Sequence, residues 1–427
     1  MEQDLTNGSV FKTVIRFSVP FLLSYFMQTL YGMADLYIIG RFCGVESTTA
    51  VAVGSQVMHM LTVMIVGLAM GAVVMIGQAV GRSDRPAAAR AIGNAVTLFM
   101  GLSLVLAAGL MLAVEGITKV MSTPEEAAAG TRAYLRICFL GVPFIVAYNV
   151  ISSIFRGLGD SQSPMYFVAV ACIANIGLDY LFIGGLGLGP AGAALGTTLS
   201  QMVSVAGSLL MISRKKDKPR LSRGDFRLQR TTMAGILKIG GPVALQDGFI
   251  QIAFMVITVF ANLRGLEDAA AVGIVEKLIG ILFLVPSSML QTVSAISAQN
   301  IGAGKEQRAR KTLYYACLIC IVWGLAVAGL MHFASERIIG MFSNSPRAVA
   351  LGCQYMRGYV WDCLFAGIHF SFSGFSVPGA CPAFPSCTMP CPLSVCGFLF
   401  PILRPGIIFP ACFPWDLPLR RGLFCPC

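Results

Sequence analysis

Two carboxylates stand alone inside apolar stretches of this 427-residue chain: Asp35 in SVPFLLSYFMQTLYGMADLYIIGRFCG and Asp179 in NIGLDYLFI. An ionisable side chain within a membrane span is costly and as a rule functional. Asn175 and Asp179 are spaced i, i+4 and therefore share one helix face. Thr197, in the next apolar run, can add a hydroxyl. Carboxylates kept from water hold a proton more readily than exposed ones. Asp35 and Asp179, facing one another, would thus make a proton site or, with Thr197 oxygen, a sodium site. The plainer reading of each Asp is a hydrogen-bonded packing residue or one reaching to the interface.

Other polar groups carry weaker signals. Asp247 and Gln251, in GGPVALQDGFIQIAF, fall on one helix face and are candidates for a substrate cleft. Glu276 with Lys277, and Asp362, read as internally neutralised or packing residues, and His369 as an interfacial one. Gly187 to Gly192 (GLGPAG) fits a dinucleotide-loop pattern, but Pro190 and its place between two spans make it a tight turn. No P-loop, HExxH or nucleophile elbow occurs, so ATP-driven transport and hydrolysis lack support and the chain does not read as an enzyme.

The elements that must hold these residues are membrane helices. Hydrophobic residues make up 56% of the chain and charged ones 12%, against about 25% charged in soluble domains; mean hydropathy is +0.76. Apolar runs centre near residues 27, 65, 103, 143, 175 and 203, then near 248, 286, 322 and 362, each about the 20 residues a span needs. The net charge of +11 resides in short loops, which signals topology and excludes a nucleic-acid face. Arg214 to Arg230 (RKKDKPRLSRGDFRLQR) is the most basic stretch and is expected in the cytoplasm, with Gly81 to Arg90, Arg156 to Pro164 and Gly302 to Lys311. The start, with Glu2 and Asp4, lacks a secretory signal and is expected to stay cytoplasmic.

The chain matches itself at an offset of about 221 residues. Pro20 pairs with Pro242, Gln78 and Gly81 with Gln299 and Gly302, and Tyr134 and Arg136 with Tyr355 and Arg357. Six helices separate the copies, so the repeat is parallel and its axis runs along the membrane normal. The fold expected is an all-α polytopic membrane protein of two six-helix lobes, with about ten clear spans. Residues 1–213 form the first lobe, 214–230 a basic linker, and 231–375 helices 7 to 10 of an incomplete second lobe. Substrate would sit in the cleft between lobes.

Residues 376–427 break the pattern. They hold about half of the 21 Pro and 14 Cys and no Lys. Pro at that density forbids the two further spans that the repeat demands. Back-translation of Trp415 to Gly422 one nucleotide earlier permits a Gly- and Pro-containing string like Gly189 to Gly196, so we read the tail as frameshifted. A genuine Pro-rich tail is the alternative; Cys387 and Cys391 do not have zinc spacing. Cys138, Cys172, Cys317 and Cys320 read as small buried hydrophobes.

Taken together, Pro20, Asp35 and GRFCG, then RGLGDSQSPM from Arg156, then NIGLDYLFI and GPAGAALGTTLSQ, resemble the multidrug and toxic compound extrusion (MATE) family, over residues 10 to 375. The resemblance implies a bacterial inner (plasma) membrane antiporter that exports small amphipathic organic cations against protons or sodium ions. It implies a cation or proton site at Asp35, Asn175, Asp179 and Thr197, and a first-helix bend at Pro20. No cofactor is implied beyond the coupling ion; the partners are substrate and lipid, and the chain is expected to be a monomer. The seventh helix departs from members that carry a glutamate there. Two alternatives compete: a lipid-linked precursor flippase, which would need cationic residues in the central cleft, and a nonfunctional product with an incomplete second lobe.

Overall fold

The computed structural model describes residues 4–214, 221–342 and 345–376. Among them there are eleven α-helices and no strand. They are α1 (Val10–Phe42), α2 (Val45–Gly81), α3 (Arg85–Val120), α4 (Glu125–Gly157), α5 (Gln162–Asp179), α6 (Gly189–Arg214), α7 (Arg230–Arg264), α8 (Leu266–Leu282), α9 (Leu284–Gly302), α10 (Glu306–Gly340) and α11 (Pro346–Ser376). By length and apolarity nine candidate spans stand among the described residues, α8 and α9 forming one of them. The tenth expected span is α11, 31 residues long but less apolar, since it carries Arg357, Asp362 and His369.

Local chemistry explains the breaks. Asp84 caps α3 by accepting from the Ala87 amide, with Pro86 in the first turn where no amide is needed. Pro286 separates α8 from α9: its ring excludes the helical bond to the Leu282 carbonyl. That carbonyl accepts instead from Trp323 Nε1 at 3.0 Å and from the Cys363 thiol at 3.7 Å. Gly187 and Gly189, at φ +65° and +55°, make the tight turn expected before α6.

One hydrophobic core lies among the first six helices and takes in Ile236 of α7, and a second lies among α8, α10 and α11. A third forms a seam, where Val14, Phe17 and Phe21 of α1 meet Met289, Val293 and Ile296 of α9. Large apolar side chains such as Leu112 (90% exposed) and Phe333 (88%) face outward, which suits a hydrocarbon surround. The described cysteines are unpaired, and Cys138, Cys172 and Cys320 are buried.

The hydrogen bonds that join the first six helices to the later ones cluster at the linker end. Gln299 Nε2 donates to the Gly157 carbonyl at 3.1 Å, and Asn94 of α3 bonds both Asp225 and Gln229 within the linker. Residues 5–8 are strapped to the far side: Arg308 donates to the Leu5, Asn7 and Gly8 carbonyls, and Lys305 to Thr6 and Asn7. Gly81 lies against the backbone of Gln299, and Gly302 against that of Gln78. These are residue pairs that the repeat equates, and such reciprocal contact is what a two-fold axis produces.

Candidate functional site

The first helices bring Asp35, Asn175 and Asp179 together, with Thr197 on α6, whose Gly196 touches Asp179. Asp35 is 8% exposed, Asn175 1% and Asp179 0%. The Asp35 side chain is adjacent to both Asn175 and Asp179. Yet Asp35 Oδ1, both polar atoms of the Asn175 amide, both Asp179 oxygens and Thr197 Oγ1 have no aligned hydrogen bond. Buried polar atoms are ordinarily paired, and an isolated buried charge is expensive. Two adjacent carboxyl groups with amide and hydroxyl oxygens are hard donors, able to share a proton or to surround sodium. Among the described residues no group of three or more His, Cys, Asp or Glu could hold a metal ion.

Backbone features shape this cluster. At Asp179, α5 passes into a π-helical turn over Tyr180–Gly185, a form that often marks functional sites. The Asp179 carboxylate lies so close to Gly196 of α6 that a Cβ there would collide with it. Thr197 follows on the same helix, its Oγ1 buried and without a hydrogen-bond partner. Two groups escaped sequence reasoning: Tyr31 and Tyr134, whose hydroxyls lie within electrostatic range of Asp35. The only sequence signal was the pairing of Tyr134 with Tyr355, which in the later helices stands near Glu276 and Asp362.

Pro20 is buried within the uninterrupted helix α1, and Ser24 Oγ donates to its carbonyl at 2.7 Å. It is fifteen residues, or about 22 Å of helix, from Asp35, next to the seam residue Phe21 and apart from the cluster. Asp247 lies elsewhere again, against Gly67 of α2; Gln251 follows one turn on. Glu276 accepts from Thr258 Oγ1 at 2.8 Å and lies within electrostatic range of Lys277. His369 is half-buried beside Gln246, 3.2 Å between Nε2 atoms, between α7 and α11.

Arg156 corrects a sequence expectation. It reads as a loop residue, but it occupies the last turn of α4 and is 6% exposed. It contacts the later helices through Gln291 of α9 at 3.2 Å. A cation therefore does lie in the seam, where few were visible from sequence.

A model of the MatE family matches residues 20–181 and again residues 242–380. The chain belongs to the MatE family. Each matched segment begins at one of the two prolines that the internal repeat pairs. Among curated MatE relatives, the "Probable multidrug resistance protein YpnP" of Bacillus subtilis (strain 168) is 31% identical over 87% of this chain and 83% of its own length. The "FAD transporter" of Shewanella oneidensis (strain ATCC 700550 / JCM 31522 / CIP 106686 / LMG 19005 / NCIMB 14063 / MR-1) is 25% identical over 81% of this chain and 77% of its own. The fold is that of a solved multidrug resistance MATE family transporter of the MOP superfamily in an outward-facing conformation, with TM-score 0.80 and 23% identity over 87% of this chain and 83% of the other. This MatE chain is thus a polytopic protein of a membrane transporter family, and the expected fold class holds.

Proposed function

We propose that this MatE protein is a secondary antiporter that exports small amphipathic organic cations in exchange for protons or sodium ions. The observation that carries the reading is the buried cluster of Asp35, Asn175 and Asp179, in which Asp35 Oδ1 and both polar atoms of Asn175 and of Asp179 have no aligned hydrogen bond, with the Thr197 hydroxyl likewise unpaired on α6. Such a cluster is costly unless a cation or proton occupies it for part of a cycle. The multidrug name of the Bacillus relative supports the substrate class.

Contacts at the linker end support alternating access. With the basic linker and the N-terminus in the cytoplasm of a bacterial plasma membrane, the seam of α1, α2, α4, α7 and α9 closes the cytoplasmic side and leaves the cleft to open outward. Asp247, at the α2–α7 contact, stands where an organic cation in that cleft could meet a carboxylate. Binding of the coupling ion among α1, α5 and α6 would then reshape α1, whose inner end forms the seam with α9. The chain acts as a monomer surrounded by lipid.

The test is dye efflux from cells that express the Asp35→Asn variant. Export should fall to the level of vector-only cells while the protein remains in the membrane fraction; undiminished export from a well-inserted variant would sink the assignment.

A further inference from the structure

Arg156 is a buried cation for which the transport cycle above has no use. Its Nη1 donates to the neutral Gln291 Oε1 at 3.2 Å, and its guanidinium carbon lies 6.0 Å from the centre of the Phe21 ring. Its Nε is buried and has no hydrogen-bond partner. Among the described residues no carboxylate is within ion-pair distance of it. Asp160, four residues on, accepts from the Gln162 and Ser163 amides and the Ser163 hydroxyl at the start of α5.

A guanidinium carries five N–H donors and stays charged under all physiological conditions. Removing it from water is costly unless an opposite charge or several acceptors compensate. One neutral acceptor and an aromatic face at the limit of cation–π range do not. The charge is felt at the hydroxyls of Tyr25 of α1 and Tyr148 of α4, both half-buried. Tyr25 is in turn within electrostatic range of Asp247. Arg156 is therefore buried between the two sets of helices, with Gln291 and the Phe21 ring in contact with it and the hydroxyls of Tyr25 and Tyr148 within electrostatic range.

We propose that Arg156 is the docking point for an oxyanion, a phosphate or carboxylate group carried by a transported molecule or by a membrane lipid. The planar fork of the guanidinium matches two oxygens of such a group. The unpartnered Nε and the remaining Nη donors supply the hydrogen bonds, and the tyrosine hydroxyls add donors beside them. With Asp247 of α7 within electrostatic range of the same Tyr25, a molecule bearing both an anionic and a cationic group would meet a charge of opposite sign at each end. This deepens the transporter reading and rests on it for the route by which the ligand arrives. A purely structural role, in which Arg156 only offsets the negative end of the α4 dipole, needs a positive charge but not the fork.

The experiment uses the full chain, purified in detergent and stripped of lipid. Inorganic pyrophosphate is the soluble probe; nanodiscs of phosphatidylglycerol, compared with phosphatidylcholine, are the lipid probe. Binding is followed by intrinsic tryptophan fluorescence at constant ionic strength. The wild type should bind at least one probe saturably. Arg156→Gln should weaken that binding at least tenfold, and Arg156→Lys should fall between. Pyrophosphate binding that phosphatidylglycerol does not displace identifies a soluble ligand; displacement identifies a lipid headgroup. If Arg156→Gln fails to fold, Arg156→Lys decides alone, because it keeps the charge and loses the fork. Absence of binding by the wild type overturns the proposal, as does equal binding by the variants with only a lowered melting temperature. Dye efflux by the wild type, run in parallel, reports on the transporter reading independently of either probe.

Discussion

At Asp179 the hydrogen-bonding step of α5 lengthens into a π turn, and the side chain of that residue presses on the backbone of Gly196. The position tolerates little change of shape. Gly196→Ala should displace Asp179 and abolish coupled export, although it adds only one methyl group. Parallel assays of dye efflux and membrane insertion will check this, and full activity would show that the contact is dispensable. That Asp35 and Asp179 stand together was legible in part, because a lone carboxylate in an apolar run stands out and Asn175 is the i, i+4 partner of Asp179. Arg156 was not. Its sequence context, RGLGD, reads as a loop, and only the extension of α4 to Gly157 carries it into the seam. Tyr31 and Tyr134 look like ordinary membrane aromatics until folding sets them around Asp35.

Helices meet here by close backbone approach as much as by side-chain packing. Gly81 of α2 and Gly302 of α9 each touch the chain at the other's partner glutamine, so a larger residue would wedge the linker end open. Gly81→Leu should make cysteines placed in the seam react with thiol reagents from the cytoplasmic side, whereas the unmodified seam should stay protected. The strap over residues 5–8 adds to the same closure. The Asp4 carboxyl is held below the usual carboxylate range by hydrogen bonds from the Thr6 hydroxyl and amide, and from Asn7. A lowered value means that this contribution is present at neutral pH and is lost as the pH falls through and below the ordinary value of about 3.9. Acidification of inside-out vesicles to that range should speed proteolysis near residue 5, and an Asp4→Asn variant should show no such step. The freed Leu282 carbonyl gives a further prediction. Trp323→Phe removes its main donor and should cost about 1 kcal/mol, read as a drop of a few degrees in the thermal midpoint in detergent. Helix positions were legible because apolar runs of span length are a strong signal. The break at Pro286 within one such run was not, since its compensation by Trp323 comes from a distant helix.

On the scale of the whole molecule, the repeat and the basic linker were visible as sequence self-similarity and charge. The closed linker end was not, because it depends on contacts between residues nearly 300 positions apart, such as Leu5 and Asn300. The frameshift reading concerns residues 376–427, of which Ser376 ends α11 and the rest lie outside the described residues. A chain with the frame restored by one nucleotide should be more monodisperse in detergent and export dye better than the chain as given; equal behaviour would make the tail a genuine, tolerated feature. Topology is tested by labelling: a cysteine at Ser222 should be protected from impermeant reagents in intact cells. The central claim, that the cluster in the first helices carries the coupling ion, is tested most directly in proteoliposomes. Purified protein should move an organic cation only when an opposing proton or sodium gradient is imposed, and Asp35→Asn and Asp179→Asn should each reduce that movement to the protein-free rate. Gradient-driven transport that persists in both variants would contradict the account.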